Sequence, residues 1–169
     1  MGKLIGLKSL KLGPIGVDGA MGTVLTEVLG ATVKGTASLV YSEPSIEDIE
    51  VEEFDGAYDE ILTTSGKFEL NLESYNVSAK TLGAVCGGEY TEGTAGAPDT
   101  WEGDEIVHME MSAEAESRNG VIIQIPRLKF IARPSFDFNK AQLGRLILKG
   151  SVLKPTKVGV KSIKYTNPA

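Results

Sequence analysis

The stretch "SYNVSAKTLGAVCGG", from Ser74 to Gly88, differs from the sequence on either side of it. Ser74 or Asn76 can cap the start of a helix and Gly87-Gly88 can end it, so the stretch predicts one short helix at about 74–87. The residues predicted to pack this helix against the rest of the protein are Val77, Leu82 and Val85. Most of the remaining sequence alternates apolar and polar residues between glycines, which is typical of strands and turns.

Working outward from the helix, the clearest predicted strand is 66–74, where Phe68, Leu70 and Leu72 face one way. The other predicted strands are 33–42, 46–55, 105–117, 121–134, 142–153 and 158–166. A tight hairpin turn is predicted at 118–120 from its Asn-Gly pair, and Pro126 suggests an edge strand or a bulge. The glycine-rich residues 1–31 are interpreted as an extended N-terminal arm, and 87–104 as a loop or the end of a long hairpin.

About seven to nine strands and one helix favour a mainly β fold, a two-sheet β-sandwich or barrel-like domain flanked by the helix. The chain has 169 residues, a length that predicts a single domain over residues 1–169.

Charge is distributed unevenly along the chain, although the total is only −6. Residues 1–17 carry three lysines, residues 18–116 have a net charge of −19, and residues 118–169 have a net charge of +10. A net negative chain is not expected to be a general nucleic-acid binder, because phosphate attraction needs clustered Lys and Arg. Two interpretations remain open: the charges pair within one subunit, or they form acidic and basic faces that meet between copies.

No catalytic or metal-binding pattern is found in the sequence, and we expect neither an enzyme nor a cofactor. A single histidine, His108, cannot form a metal cluster, and a single cysteine, Cys86, excludes an internal disulfide and suggests a small buried residue. The acidic run from 47 to 60 does not match the spacing of an EF-hand loop. Trp101 and Tyr90 form either a sugar-binding platform or a packing contact.

No segment has the length and apolar character of a membrane-spanning helix, and "MGKLIGLKSLKLG" lacks the apolar core of a signal peptide. The protein is therefore expected to be made in a cytoplasm and to stay there until it assembles.

The order of the parts is similar to that of a known family. A glycine-rich start leads to "TASLVYSEPSIEDIEVEE" and then to "GKFELNLESYNVSAKTLGAVCGG", a strand running directly into one helix. The hairpin "EIVHMEMSAEAESRNGVIIQIPRLKF" follows, and the end is basic and β-rich. This arrangement resembles the tail tube protein, or major tail protein, of tailed bacteriophages, which is related to the inner tube of the type VI secretion system.

The resemblance implies a subunit that forms hexameric rings, which stack head to tail into a hollow tube for DNA ejection. It implies assembly in the host bacterial cytoplasm and a final location in the virion tail. The implied partners are further copies of the chain, other tail proteins such as the tape measure and the terminator, and DNA in transit without specific binding. A negative lumen is typical of the family, and the candidates for lining it are Glu69, Glu73, Glu110 and Glu114.

The charge distribution also yields interface candidates. Residues 43–60 hold nine acids and no base, while 140–164 hold seven positive charges and no acid. The candidates for contacts between subunits are Glu50, Glu52, Glu53, Lys154, Lys157 and Lys161. The alternative functions are a β-sandwich binding module for carbohydrate and another structural virion component, such as a baseplate or head-completion protein.

Overall fold

The computed structural model describes residues 3–53 and 55–168. These residues form a mainly β structure with one short helix, as the sequence predicts. The strands are β1 (Leu7–Gly13), β2 (Ser38–Tyr41), β3 (Ser45–Glu50), β4 (Ala57–Thr64), β5 (Phe68–Ser74), β6 (Glu89–Thr91), β7 (Thr100–Glu102), β8 (Met109–Ser117), β9 (Ile122–Ser135), β10 (Arg145–Val152) and β11 (Lys164–Thr166). The helix is α1 (Ala79–Val85).

Seven strands form the main sheet, in the order β1-β8-β9-β10-β5-β2, with β11 paired to the start of β9. All of its pairs are antiparallel, and the sheet curls into a half-barrel. The curled sheet confirms the predicted barrel-like class. Alternate residues of these strands face one core, whose centre holds Phe130, Leu128, Leu146 and Leu148.

Helix α1 covers part of this core, next to β9, β6 and β7. It is shorter than the predicted 74–87, because Ser74 belongs to β5 and its hydroxyl donates to the carbonyls of Leu29 and Gly30. The cap is Ser78 instead, whose hydroxyl accepts from the Thr81 N–H at 3.4 Å. The chain leaves the helix through two glycines at 87 and 88 with positive φ, as predicted.

Part of the N-terminal segment interpreted as an arm, residues 7–13, forms strand β1 of the main sheet. Strand β1 pairs with β8 and buries Leu10 and Leu12 in the core. The following residues turn back along β1, where Leu12 and Thr26 exchange two backbone hydrogen bonds of 2.8 and 2.9 Å. A Cβ atom on Gly13 would collide with the carbonyl of Val24, so glycine is what allows this close return.

Pro126 lies at a bulge in β9. Of the two positions predicted for this proline, an edge strand or a bulge, the structure confirms the bulge. Pro126 and Arg127 together oppose Ser112 of β8, between the pairs Met111–Leu128 and Ala113–Ile125. On its other side, β9 changes partner from β11 to β10 between residues 124 and 128. The proline therefore occupies a position where no ladder hydrogen bond is required of it. The buried Ser112 hydroxyl closes the gap by donating to the Pro126 carbonyl and accepting from the Gly22 N–H.

Two short hairpins complete the described fold. Strands β6 and β7 form a hairpin within residues 87–104, the segment predicted to be a loop or hairpin end, and it packs on α1. Strands β3 and β4 pair only with each other. Several strands are shorter than predicted; the last one begins at 164 rather than 158 because residues 156–159 form turns.

Candidate functional site

Neither of the two reactive side chains singled out from the sequence lies in a catalytic setting. His108 is exposed just before β8. Cys86 is fully buried, its Sγ donates to the Ala132 carbonyl at 3.2 Å, and burial raises the pKa of its thiol to about 11. Within residues 3–53 and 55–168, no group of three or more His, Cys, Asp or Glu side chains is arranged to hold a metal ion.

The most unusual surface is the hairpin of β3 and β4 with its flanking acids, residues 43–64, which we call the acidic hairpin. All nine of its acidic side chains are exposed. Asp48 lies directly opposite Glu60, a like-charge pair that destabilises a two-stranded ladder. Ile46, Ile61 and Leu62 are more than half exposed on the same hairpin. An isolated two-stranded hairpin is at best marginally stable, and the like-charge pair lowers the stability of this one further.

The basic C-terminal segment, residues 140–164, lies partly on the main sheet and partly in the turns that follow it. Of the three lysines predicted to form an interface, Lys157 is paired within the chain, 2.5 Å from Asp18. Its hydrogen bond is the main reason why the pKa of Asp18 is lowered. Lys154 and Lys161 are exposed, and the ion pairs of the described residues involve neither of them.

The structure does not bring the two predicted interface groups together. No salt bridge among the described residues joins the acidic hairpin to residues 140–164, and none involves Glu50, Glu52 or Glu53. Within the described part of the chain, Lys157 is thus neutralised by Asp18, whereas the acids of the hairpin form no salt bridge.

The four glutamates predicted to line a lumen lie together on the outer face of the main sheet, opposite the core. Two are on β5 and two are on β8, and strand register places Glu110, Lys129, Ser151 and Glu69 in one row across the sheet. Each has a cation nearby: Glu69–Lys67 at 3.8 Å, Glu73–Arg145 at 2.8 Å, Glu110–Arg127 at 3.0 Å and Glu114–Lys11 at 3.7 Å.

These ion pairs change the electrostatic character expected of the outer face. Arg127 hydrogen-bonds to Glu110 and lowers the pKa of that carboxyl, while Glu73 raises the pKa of Arg145. Each of the four glutamates on this face is thus paired with a cation, so the face is not uniformly acidic. Sequence reasoning missed Lys11, Arg127 and Arg145 because they lie on neighbouring strands, and it overlooked Lys67, which is only two residues before Glu69.

The main sheet has two open edges. Strands β1 and β2 end its strand order, and beyond β1 the described residues add only the isolated bridge between Leu12 and Thr26. The outer backbone groups of an edge strand are available to pair with another chain.

Tyr90 and Trp101, the candidates for a sugar platform, face each other across β6 and β7 and are both half-buried. The Trp101 indole N–H donates to the Gly87 carbonyl at 2.8 Å, and Tyr90 lies against Gly83 of α1. Since both rings serve to hold the hairpin to the helix, their geometry gives no support to a carbohydrate platform.

Comparison with known proteins adds no relative: no protein-family model matches the chain, and no curated protein does either. Among the described residues, no helix has the length and apolar character required to cross a membrane.

Proposed function

We propose that this chain is the structural subunit of a bacteriophage tail tube. In this proposal six copies close into a ring, and the rings stack head to tail into a hollow tube through which DNA passes to the host. The observation that carries the proposal is the acidic hairpin, an exposed segment of nine acids that form no salt bridge with any other described residue.

Head-to-tail assembly needs two different, complementary surfaces on every subunit. The acidic hairpin is one such surface, and the exposed lysines Lys154 and Lys161 belong to the other. Opposite charge steers the encounter of two such surfaces and disfavours contacts between like surfaces. A cationic neighbour would also relieve the repulsion between Asp48 and Glu60 within the hairpin.

Closure into a ring is supported by the open edges of the main sheet. Helix α1 and the hairpin of β6 and β7 cover part of the core face and do not pair with β1 or β2. Among the described residues, only the Leu12–Thr26 bridge occupies the outer side of β1. Pairing of edge strands between neighbours would continue the curl of the half-barrel from one subunit to the next and remove the exposed edges.

The channel wall in this proposal is the outer face of the main sheet, with Glu69, Glu73, Glu110 and Glu114. Their salt bridges, together with Arg133 and Lys149 on the same face, make the wall mixed in charge. The four partner cations with Arg133 and Lys149 outnumber the four glutamates, so such a wall would not itself repel DNA. The negative charge that keeps DNA from binding would have to come from the acidic hairpins. The proposed further partners are the tape measure and terminator proteins. The proposed location is the virion tail, and this function requires no cofactor.

Negative-stain electron microscopy of the purified protein, over a range of concentration and salt, tests the proposal. Rings of six subunits and stacked tubes are the expected result. Rings that never stack would favour another virion component, such as a head-completion or baseplate protein. Dispersed monomers at every concentration would contradict self-assembly and leave a binding module as the better hypothesis.

A further inference from the structure

An apolar cleft opens where the two edge strands of the main sheet, β1 and β2, approach each other. It has a volume of about 170 Å³, and its apolar lining includes Leu4, Leu7, Leu10, Leu39, Leu70 and Ile123. In another protein, an engineered aliphatic cavity of roughly 150 Å³ binds benzene. The cleft is thus large enough for one phenyl ring.

Among the described residues, the one charged side chain in the lining of this cleft, Glu116, is paired with Lys8 at 2.6 Å, and two further cations lie beside the cleft. Lys3 is exposed next to Leu4, and Arg118 donates its backbone N–H to the carbonyls of Ile5 and Gly6 and lies against Gly6 with its side chain. Neither cation takes part in a salt bridge among the described residues.

A matching apolar group lies on the loop between β9 and β10, residues 136–144. Phe138 is fully exposed at 101%, and Phe136 and Leu143 in the same loop are 51% and 67% exposed. Single exposed apolar residues are common, but several large ones in one short loop indicate a contact surface. Asp137, which is also exposed, places a carboxylate directly beside Phe138.

Phe138 does not occupy the cleft of its own chain, because its side chain is fully exposed. We propose that Phe138 of one copy inserts into the apolar cleft of a second copy, with Asp137 facing Lys3 and Arg118 beside the cleft. The cleft and the loop are different surfaces of the subunit, so the contact is head to tail and propagates from copy to copy. A buried aromatic anchor in a well-packed pocket, surrounded by contacts that exclude water, is a common centre of a strong interface. This inference rests on the proposed self-assembly and names the contact that anchors it.

The test replaces Phe138 with a diazirine-bearing phenylalanine analogue, which keeps the aromatic ring and cross-links on illumination to whatever it touches. Labelled and unlabelled protein are mixed, assembled, illuminated and digested, and mass spectrometry identifies cross-links between copies. The expected partners are the cleft segments 4–10, 37–39 and 115–125. In parallel, Phe138→Ser is compared with Val24→Ser, a control at another largely exposed apolar residue.

Phe138→Ser is expected to raise the protein concentration needed for assembly by about tenfold or more, the scale of an anchor residue, while Val24→Ser leaves it unchanged. Assembly of Phe138→Ser at the wild-type concentration, or cross-links that map outside the cleft, would overturn this contact and leave the proposed tail tube standing. A wild-type protein that never assembles would overturn both. Because the photoreactive variant keeps an aromatic side chain, its cross-links decide the question even if the serine variant misfolds.

Discussion

Cys86 shows how a single residue is made inert by its position. It caps the C-terminal end of α1 inside the core, and burial raises the pKa of its thiol to about 11. At pH 8 such a thiol is only about 0.1% thiolate, and the thiolate is the reactive form. We therefore expect a thiol-specific reagent to label native protein very slowly and guanidinium-unfolded protein at once. Rapid labelling of the native protein would show that Cys86 is accessible.

The same residue gives a pH dependence of stability with a definite sign. The folded-state pKa of Cys86 lies above its ordinary value of 9.0, so the unfolded chain loses the thiol proton first as pH rises. Its contribution to the free energy of unfolding is fully present below pH 9 and is lost as pH rises towards 11. Denaturant titrations at several pH values give the free energy of unfolding of wild type and of Cys86→Ala. Between pH 9 and 11 this free energy should fall more steeply with pH for the wild type, and an equal pH dependence of the two proteins would contradict the assignment.

Serines 74 and 78 illustrate what residue-level sequence reasoning cannot decide. Ser74, Asn76 and Ser78 all have side chains suited to an N-cap, and local sequence does not choose among them. The choice is made by the hydrogen bonds of Ser74 to the carbonyls of Leu29 and Gly30, about 45 residues away in sequence. A cap can be predicted to within a turn, but its position depends on such distant contacts.

At the scale of elements, α1 is held to the fold by Leu82, which is 4% exposed in the core. Removing its isopropyl group leaves a cavity, so Leu82→Ala should lower the free energy of unfolding by about 2–5 kcal/mol. Lys80→Ala, at an exposed position of the same helix, is the matched control and should change it little. Equal denaturation midpoints for the two variants would mean that the helix does not pack on this face.

Gly83 gives a second prediction for α1, in which two effects oppose each other. Alanine in place of glycine within a helix normally gains about 1 kcal/mol. Here the added Cβ would lie 2.7 Å from the Cβ of Tyr90 in β6, a clash with an atom fixed to the backbone. We expect the clash to dominate and Gly83→Ala to lower the melting temperature. A higher melting temperature would show that the hairpin of β6 and β7 can shift away from the helix and make room for the added methyl group.

The elements also show where sequence patterns failed. Strand β5 and the Asn-Gly turn were predictable because apolar alternation and turn chemistry are local signals. Strand β1 was missed because its apolar residues, Leu7, Leu10 and Leu12, break the two-residue period. The structure explains the break, since the register with β8 shifts between Leu7 and Ser9.

At the scale of the whole molecule, the uneven charge of the sequence has two outcomes in the fold. On the outer face of the main sheet, acids of the middle segment meet cations of distant strands, as Glu73 meets Arg145 and Glu110 meets Arg127. The acidic hairpin has no such neighbour among the described residues. The uneven charge could thus be recognised from the sequence. Which acids are neutralised depends on the order of the strands in the sheet, and that order could not be predicted from the sequence.

The unpaired charges lead to a test of assembly by charge reversal. Lys154→Glu with Lys161→Glu should block tube formation while circular dichroism still reports a β-rich fold, because neither lysine is held in a salt bridge within the described chain. Lys157 is left unchanged because it pairs with Asp18. The matched control is Lys34→Glu with Lys80→Glu, exposed positions that change the net charge equally and should still allow tubes.

A second set of substitutions tests whether the acidic hairpin is the partner of these lysines. Adding Glu50→Lys, Glu52→Lys and Glu53→Lys at the turn of the acidic hairpin restores opposite charge across the proposed contact, so tubes should partly return. Both the block and the rescue should weaken as salt is raised, since screening shortens the reach of exposed charges to about 8 Å at physiological ionic strength. Two results would exclude a charge-steered contact: wild-type tube formation by the reversed double variant, or loss of tubes in the Lys34 and Lys80 control to the same degree. Unfolding of the double variant would instead place its lysines in contacts within one subunit, which contradicts their assignment to the interface.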